Sequence, residues 1–296
     1  VSRAHWEDMP EQAHAEVEAR LGRVVKAETV EGGIMPGLAC RLHMEDGRDV
    51  FLKAIQSTHP GATLHRREAW AGRALPETVP APRLLWHGDV AGWLLMASEF
   101  VGDARHADLS PGSPDLPAVL ETIAGLGAML TPAPGGAPPV LDNIAPLQAT
   151  GRHLLHRPPG VLPDRDVYAA ALARFDAGAV RGDTLLHYDL SASNLLVADG
   201  RVHVLDWSFA ARGAAWMDAA MFAPRLVEAG HAPDAVDAML SRVPSWREVP
   251  RDALVGLAAL WTMFRVYKSM YGPEEVREGR ARAAAAGRAW LERLAA

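Results

Sequence analysis

The sequence is short of cysteine, of lysine and of long apolar runs. Cys40 is the one cysteine in 296 residues, so no internal disulfide can form and a reducing compartment is the expected setting. No stretch approaches the roughly 20 apolar residues of a membrane span. The opening VSRAHWEDMPEQAHAEVEAR has no apolar core of secretory-leader type. These absences predict a cytoplasmic chain without a membrane partner. Excess positive charge is missing as well: 36 acidic against 30 basic residues give a formal net charge of −6, which offers no footprint for nucleic acid. Lysine is rarer still, with only Lys26, Lys53 and Lys268. Where any solvated cation would serve, this chain uses arginine. A lysine therefore marks a place that needs a compact ammonium rather than a planar fork.

The composition itself, 49% hydrophobic and 22% charged, is that of a globular protein long enough for one large domain or two lobes. The first hundred residues read as short strands. RVVKAETV (23–30), GLACRLHM (37–44) and RDVFLKAI (48–55) are separated by EGGIMPG and by EDG, the second a hairpin signal. A helix follows, LHRREAWAGRAL, with Thr63 as its expected N-cap and Pro76 as its stop. Two further apolar runs, APRLLWHGD and GWLLMASEFV, complete an expected five-stranded antiparallel sheet carrying one helix. Beyond Gly102 the pattern turns helical. DLPAVLETIAGLGAML has helical apolar spacing, TPAPGGAPPV breaks it, and further helices are expected near 165–178, 214–230, 233–241, 251–271 and 273–294. The boundary falls between a strand-rich part, 1–101, and a helix-rich part, 102–296.

Polar residues concentrate in LLHYDLSASNLLVADGRVHVLDW, residues 185–207. Asp199-Gly200 is the turn of a small hairpin, whose two ends carry Asn194 and Asp206 toward a common place. Carboxylate and carboxamide oxygens, with positions left for water and phosphate, suit Mg²⁺. Asp189 is then available to orient, or take a proton from, a hydroxyl nucleophile.

His187-x-Asp189-x4-Asn194 followed by Asp206 resembles the catalytic and metal-binding segments of the protein-kinase-like fold. The final Asp-Trp and the continuation GAAWMDAA resemble the aminoglycoside phosphotransferase and choline kinase family, which usually has His-Gly-Asp where this chain has Tyr188 in the middle. The resemblance implies an α+β, two-lobed fold: a nucleotide-binding five-stranded lobe with one helix, and a mostly helical lobe with the catalytic loop and acceptor pocket. It implies Asp189 as catalytic base, Asn194 and Asp206 as ligands of Mg²⁺ on ATP or GTP, His187 as a brace of the loop and Asp218 as an acid tying that loop down. It also implies a third-strand cation held by a helix acid, and VFLKAI and the following helix offer Lys53 and Glu68. The flap over the phosphates would be EGGIMPG, with Gly32, Gly33 and Gly37. The nucleobase would meet the backbone at Glu99 and Val101, with either Met96 or Ser98 behind it, and Ser193 would touch phosphate.

The expected reaction moves the γ-phosphate to a hydroxyl of a small molecule. The resemblance suggests an antibiotic acceptor, an aminoglycoside or another glycoside or nucleoside type, and a resistance role. Choline, homoserine and sugar kinases share the motifs, so a metabolite kinase is the alternative. A non-catalytic kinase-like binding protein is a further one, although such proteins characteristically lose the lysine, the base or a metal ligand, all present here. A polycationic acceptor calls for converging carboxylates, and the chain offers Asp164, Asp166 and Asp176, then Glu274, Glu275 and Glu278. Aromatic candidates for the acceptor pocket are Trp216, Trp261, Tyr267 and Tyr271. The spacing of the last three with Phe264 is also that of a core stripe.

Overall fold

The computed structural model describes residues 4–30, 37–158 and 160–295. Two compact units form: Val1–Arg105 with Ala198–Phe209, and His106–Val197 with Ala210–Ala296. The first unit thus takes in a short segment from the second half of the sequence, and that segment includes Asp206.

In the first unit, helix α1 (Glu11–Leu21) precedes strands β1 (Val24–Thr29), β2 (Leu38–Met44) and β3 (Asp49–Gln56). Helix α2 (Ala62–Ala74) follows, then β4 (Leu84–Val90) and β5 (Trp93–Glu99). The five strands pair antiparallel in the order β1-β2-β3-β5-β4. Strand residues alternate between two faces, and here each face has its own role. Leu38, Cys40, Leu42 and Met44, with Val50, Leu52, Ala54, Leu95 and Ala97, form one buried layer covered by Ala13, Val17 and Leu21 of α1. The spacing of those three, four residues apart, is one stripe of a helix. Lys53 and Met96, directly opposed in the β3–β5 register, lie on the other face.

The sequence reading had no helix at α1, where charged residues dilute the stripe. It also placed the α2 cap two residues late. Gly61 is the N-cap and Thr63 lies inside the first turn; the His59 ring accepts from the Gly61 amide at 2.9 Å, and that turn starts the helix earlier. The helix does stop before Pro76, with Leu75 extended (φ −65°, ψ 130°), as a residue preceding proline prefers. Of the EGGIMPG turn, residues 31–36 lie outside the described residues. Strand β6 (Arg105–His106) ends the strand-rich part.

The second unit contains α3 (Leu116–Met129), α4 (Leu141–Leu155) and α5 (Arg165–Ala173). Strand β7 (Thr184–Leu186) comes next, and β8 (Leu195–Ala198) follows the polar loop. Strand β9 (Arg201–Val204) belongs to the segment packed with the first unit. The turn before it has positive φ at Asp199 (49°) and Gly200 (72°), as a two-residue hairpin turn requires. Strand β10 (Ala211–Gly213) pairs antiparallel with β7. Helices α6 (Met217–Glu228), α7 (Pro233–Leu240), α8 (Arg251–Tyr271) and α9 (Glu274–Ala295) complete the unit. Helix α4, absent from the sequence reading, carries Pro146 in its interior and follows a Pro/Gly-rich stretch, both of which argue locally against a helix. Its buried Ile144, Leu147 and Leu154 show that tertiary burial decides the matter. Gly287 lets α9 approach α8 closely: a Cβ there would meet Thr262 and come within 2.9 Å of the Trp261 ring. Among the described residues no helix is long and apolar enough to cross a membrane.

Candidate active site

In the first unit the site is an ion cluster. Lys53 Nζ donates to Glu68 Oε1 at 2.7 Å and lies 3.7 Å from Asp206 Oδ2. Two local features deliver Asp206. The short turn Trp207–Phe209 packs against α2, and the Val204 amide bonds the Pro80 carbonyl at 2.7 Å. The aspartate itself has φ 59°, a left-handed backbone that Asp tolerates better than most residues. Burial works against charge on Lys53, but the Glu68 and Asp206 carboxylates outweigh it and hold the ammonium above its ordinary range. Burial likewise pushes Glu68 up, against the pull of Lys53. One ammonium and two carboxylates leave a formal excess of one negative charge, suited to a divalent cation. Lys53 is only 20% exposed, whereas Lys26 is 64% exposed and paired with Glu28. The rare-lysine argument therefore singled out the lysine that stands between two carboxylates. His65, on α2, is buried, and that burial with the nearby Lys53 lowers its pKa to about 4.

The remaining first-unit candidates lie at the end of β5. The Glu99 amide bonds the Arg83 carbonyl and its carboxylate accepts from the Arg83 amide, both at 3.0 Å. Val101 follows beyond the strand. Met96 is buried opposite Lys53, and Ser98 stands opposite Phe51 on the same face.

In the second unit the polar loop leaves β7, and the β7–β10 pairing sets α6 beside it. Asp218 in the first turn of α6 accepts from the backbone amides of His187 (2.9 Å) and Tyr188 (2.7 Å). Burial raises the Asp218 pKa, opposed by His187 and by those two amides. Tyr188 adopts φ 74°, which turns two successive amides onto one carboxylate. A left-handed residue other than glycine costs about 1–2 kcal/mol. Two hydrogen bonds to a charged acceptor, each worth about 1.5–3 kcal/mol, offset it. The Tyr188 ring is buried and its hydroxyl reaches the Asn143 carbonyl at 3.4 Å. His187 is fully buried, and its Nδ1 accepts from the Asp189 amide at 3.3 Å.

Asn194 Nδ2 donates to the Asp189 carbonyl at 2.8 Å. A carbonyl can only accept, so the amide nitrogen must face it, and the oxygen, the atom a hard cation wants, is presented elsewhere. Ser191 and Ser193 hydroxyls bond each other at 2.9 Å. Asp189 itself is half-exposed, and Arg225 of α6 holds its Oδ1 at 3.3 Å. The sequence reading had no Arg225. Its available signal was that it is the lone cation of MDAAMFAPRLVE, a helix otherwise buried along much of its length.

The aromatic candidates separate. Trp261 lies beneath two guanidiniums, Arg225 at 5.3 Å and Arg265 at 4.7 Å from its ring centroid. Tyr267 and Tyr271 gather with His153, whose ring centroid is 5.7 and 6.4 Å from theirs. Trp216 is buried at the N-cap of α6. Among the acids, Glu278 pairs with Arg282, Asp164 with Arg288, and Asp176 accepts from the Gly178 amide.

A five-stranded antiparallel sheet bearing a buried lysine–glutamate pair, with a carboxylate-anchored loop on a helical unit, defines a small-molecule kinase of the protein-kinase-like fold. Residues 39–250 match the phosphotransferase enzyme family (APH), and the chain belongs to that family, whose members transfer phosphate to hydroxyl acceptors. Solved structures agree on the fold. Choline kinase LicA from Streptococcus pneumoniae is 16% identical, with 93% of this chain and 96% of that one covered and a TM-score of 0.62. A thermostable mutant of aminoglycoside phosphotransferase APH(4)-Ia, in ternary complex with AMP-PNP and hygromycin B, is 17% identical (94% and 98% covered, TM-score 0.57). Macrolide 2'-phosphotransferase MphH from Brachybacterium faecium is 18% identical (92% and 96% covered, TM-score 0.59). No curated protein matches the chain.

Proposed function

We propose that this enzyme moves the γ-phosphate of ATP or GTP to a hydroxyl of a small molecule, with Asp189 as the base. The observation that carries the reading is the loop itself: Asp218 fixes two successive amides and Asn194 bonds the Asp189 carbonyl, so the Asp189 carboxylate is presented from a backbone held at three points. Its Oδ2 takes the proton as the acceptor oxygen bonds to the γ-phosphorus and the bridge to the β-phosphate breaks, releasing the nucleoside diphosphate. Lys53 meets the α- and β-phosphates, and Glu68 keeps its ammonium in place. The Asn194 amide oxygen in the second unit and the Asp206 carboxylate in the first are each a hard oxygen donor of the kind Mg²⁺ takes, and that cation would neutralise charge on the β- and γ-phosphates. Glu99 and Val101 serve the nucleobase, and Ser193 the phosphates.

Of the six acids named for a polycationic acceptor, Glu278 and Asp164 pair with arginines and Asp176 accepts from a backbone amide. This favours an acceptor with little positive charge, a glycoside or nucleoside-type antibiotic or a hydroxylated metabolite, over an aminoglycoside. The test is nucleotide consumption against a mixed library of antibiotics and hydroxylated metabolites, with ATP and with GTP. Asp189→Ala should lower kcat at least about 100-fold while nucleotide affinity stays near wild type, and Asp206→Ala should weaken Mg-nucleotide binding as well. Near wild-type kcat in Asp189→Ala at saturating substrates refutes the assignment.

A further inference from the structure

The surroundings of Asp189 carry the wrong charge for most acceptors named above. Arg225 bridges Asp189 Oδ1 (3.3 Å) and Glu228 Oε2 (3.2 Å), so one guanidinium already serves both acids. Two more guanidiniums stand nearby. Arg265 is 93% buried, stacked 4.7 Å from the Trp261 centroid and 5.8 Å from that of Phe264, and its Nε has no hydrogen-bond partner. Arg280 of α9 lies seven residues before Gly287, the residue at which α9 touches Trp261, and residues seven apart share a helix face. It is half-buried, has no ion-pair or hydrogen-bond partner among the described residues, and feels the charges of Arg225, Asp189 and Glu228. Burial and repulsion from Arg225 together lower its pKa.

Arg225 and Arg280 stand with two carboxylates, and Arg265 shares the Trp261 ring with Arg225, in a chain whose formal net charge is −6. Holding like charges together in a partly buried place is costly, and a bound oxyanion removes that cost. A ligand site is where such an uncompensated cluster is expected. We propose that the hydroxyl compound phosphorylated beside Asp189 is an anion, whose oxyanion group is received by Arg280 and Arg265 while Arg225 stays on Asp189. This rests on the reading of Asp189 as the base. The recognised chemistry is a carboxylate or a phosphate ester carried on the molecule that also bears the acceptor hydroxyl. Planar guanidiniums suit both.

The test uses matched acceptors in nucleotide-consumption assays: gluconate and glucuronate as the carboxylate arm, glycerol 3-phosphate and glucose 1-phosphate as the phosphate arm. Glucose and glycerol serve as neutral controls, and glucosamine, choline and kanamycin as cationic ones. Thermal unfolding with and without Mg-ATP and Mg-GTP runs in parallel. Turnover is expected in an anionic arm, the responding arm naming the group, with KM rising as NaCl screens the contact. Arg280→Gln should raise that KM about 10- to 100-fold, the loss of one charge-assisted contact, with a much smaller change in kcat. Arg280→Glu should move preference toward cationic acceptors. Turnover confined to neutral or cationic compounds, or none in the anionic arms, overturns the inference. Nucleotide-dependent stabilisation tells which idea has failed. If it is present the phosphotransferase reading survives, and if it is absent with every acceptor silent both are lost.

Discussion

Replacing Lys53 by methionine removes the one cation from a cluster that keeps Glu68 and Asp206. Glu68 is only 12% exposed and loses a partner at 2.7 Å. A carboxylate that cannot be solvated or paired takes a proton instead. Its ordinary pKa is 4.5, so forcing it neutral at pH 7 costs about 2.5 pH units at about 1.4 kcal/mol each, or about 3.5 kcal/mol. Asp206 is 36% exposed and adds little by comparison. Because the cost is that of protonation, it should shrink by about 1.4 kcal/mol for each pH unit below 7 and nearly vanish by about pH 5. Denaturant unfolding of wild type and Lys53→Met between pH 5 and pH 7.5 measures it. The double variant Lys53→Met/Glu68→Gln, which leaves a neutral amide in place of the stranded acid, should recover most of the stability at pH 7 but none of the nucleotide kcat/KM. A cost independent of pH, or a double variant as unstable as the single one, would refute the charge argument and leave packing as the explanation.

Two other predictions concern neighbouring parts of the site. Tyr188→Gly relieves the left-handed backbone, worth about 1–2 kcal/mol, but deletes a buried ring worth about 3–5 kcal/mol. A net loss of about 1–4 kcal/mol is expected by thermal or denaturant unfolding, with kcat within a few fold, because Asp218 grips amides rather than the side chain; a stabilised variant contradicts this. His65 has a folded pKa of about 4 against an ordinary 6.5. The unfolded chain therefore binds its proton first, and the contribution is whole above about pH 6.5 and lost as pH falls toward 4, by about 3 kcal/mol. His65→Gln should flatten the acid limb of stability over that window, and an unchanged slope would show that other groups cause it.

The sheet was legible because its strands alternate: Leu38, Cys40, Leu42 and Met44 point one way, and a period of two survives without any knowledge of what covers it. The Lys53–Glu68 pair and the Asp218-held polar loop stood out for a different reason, their residue types being rare or chemically specific in this chain. Helix α4 was hidden by Pro146 and the broken stretch before it, since local propensity there opposes what burial of Ile144 and Leu154 enforces. Arg225 was hidden by distance. It lies 36 residues from Asp189 in sequence, and only the packing of α6 against the loop brings them together. Tyr188 stood out as a departure from the family pattern, and its φ of 74° gives the reason a glycine usually occupies that place.

Cys40 sits at zero exposure in the layer under α1, and burial raises its thiol pKa to about 12. A thiol reacts as thiolate, so the native chain is silent toward maleimide and iodoacetamide reagents at neutral pH. It is therefore a ready background for site-directed labels. A cysteine placed at exposed Asp103 in the first unit and another at exposed Tyr271 in the second would be the only reactive pair. Fluorophores or spin labels attached there would report the distance between the two units with and without nucleotide, with no native residue to remove first.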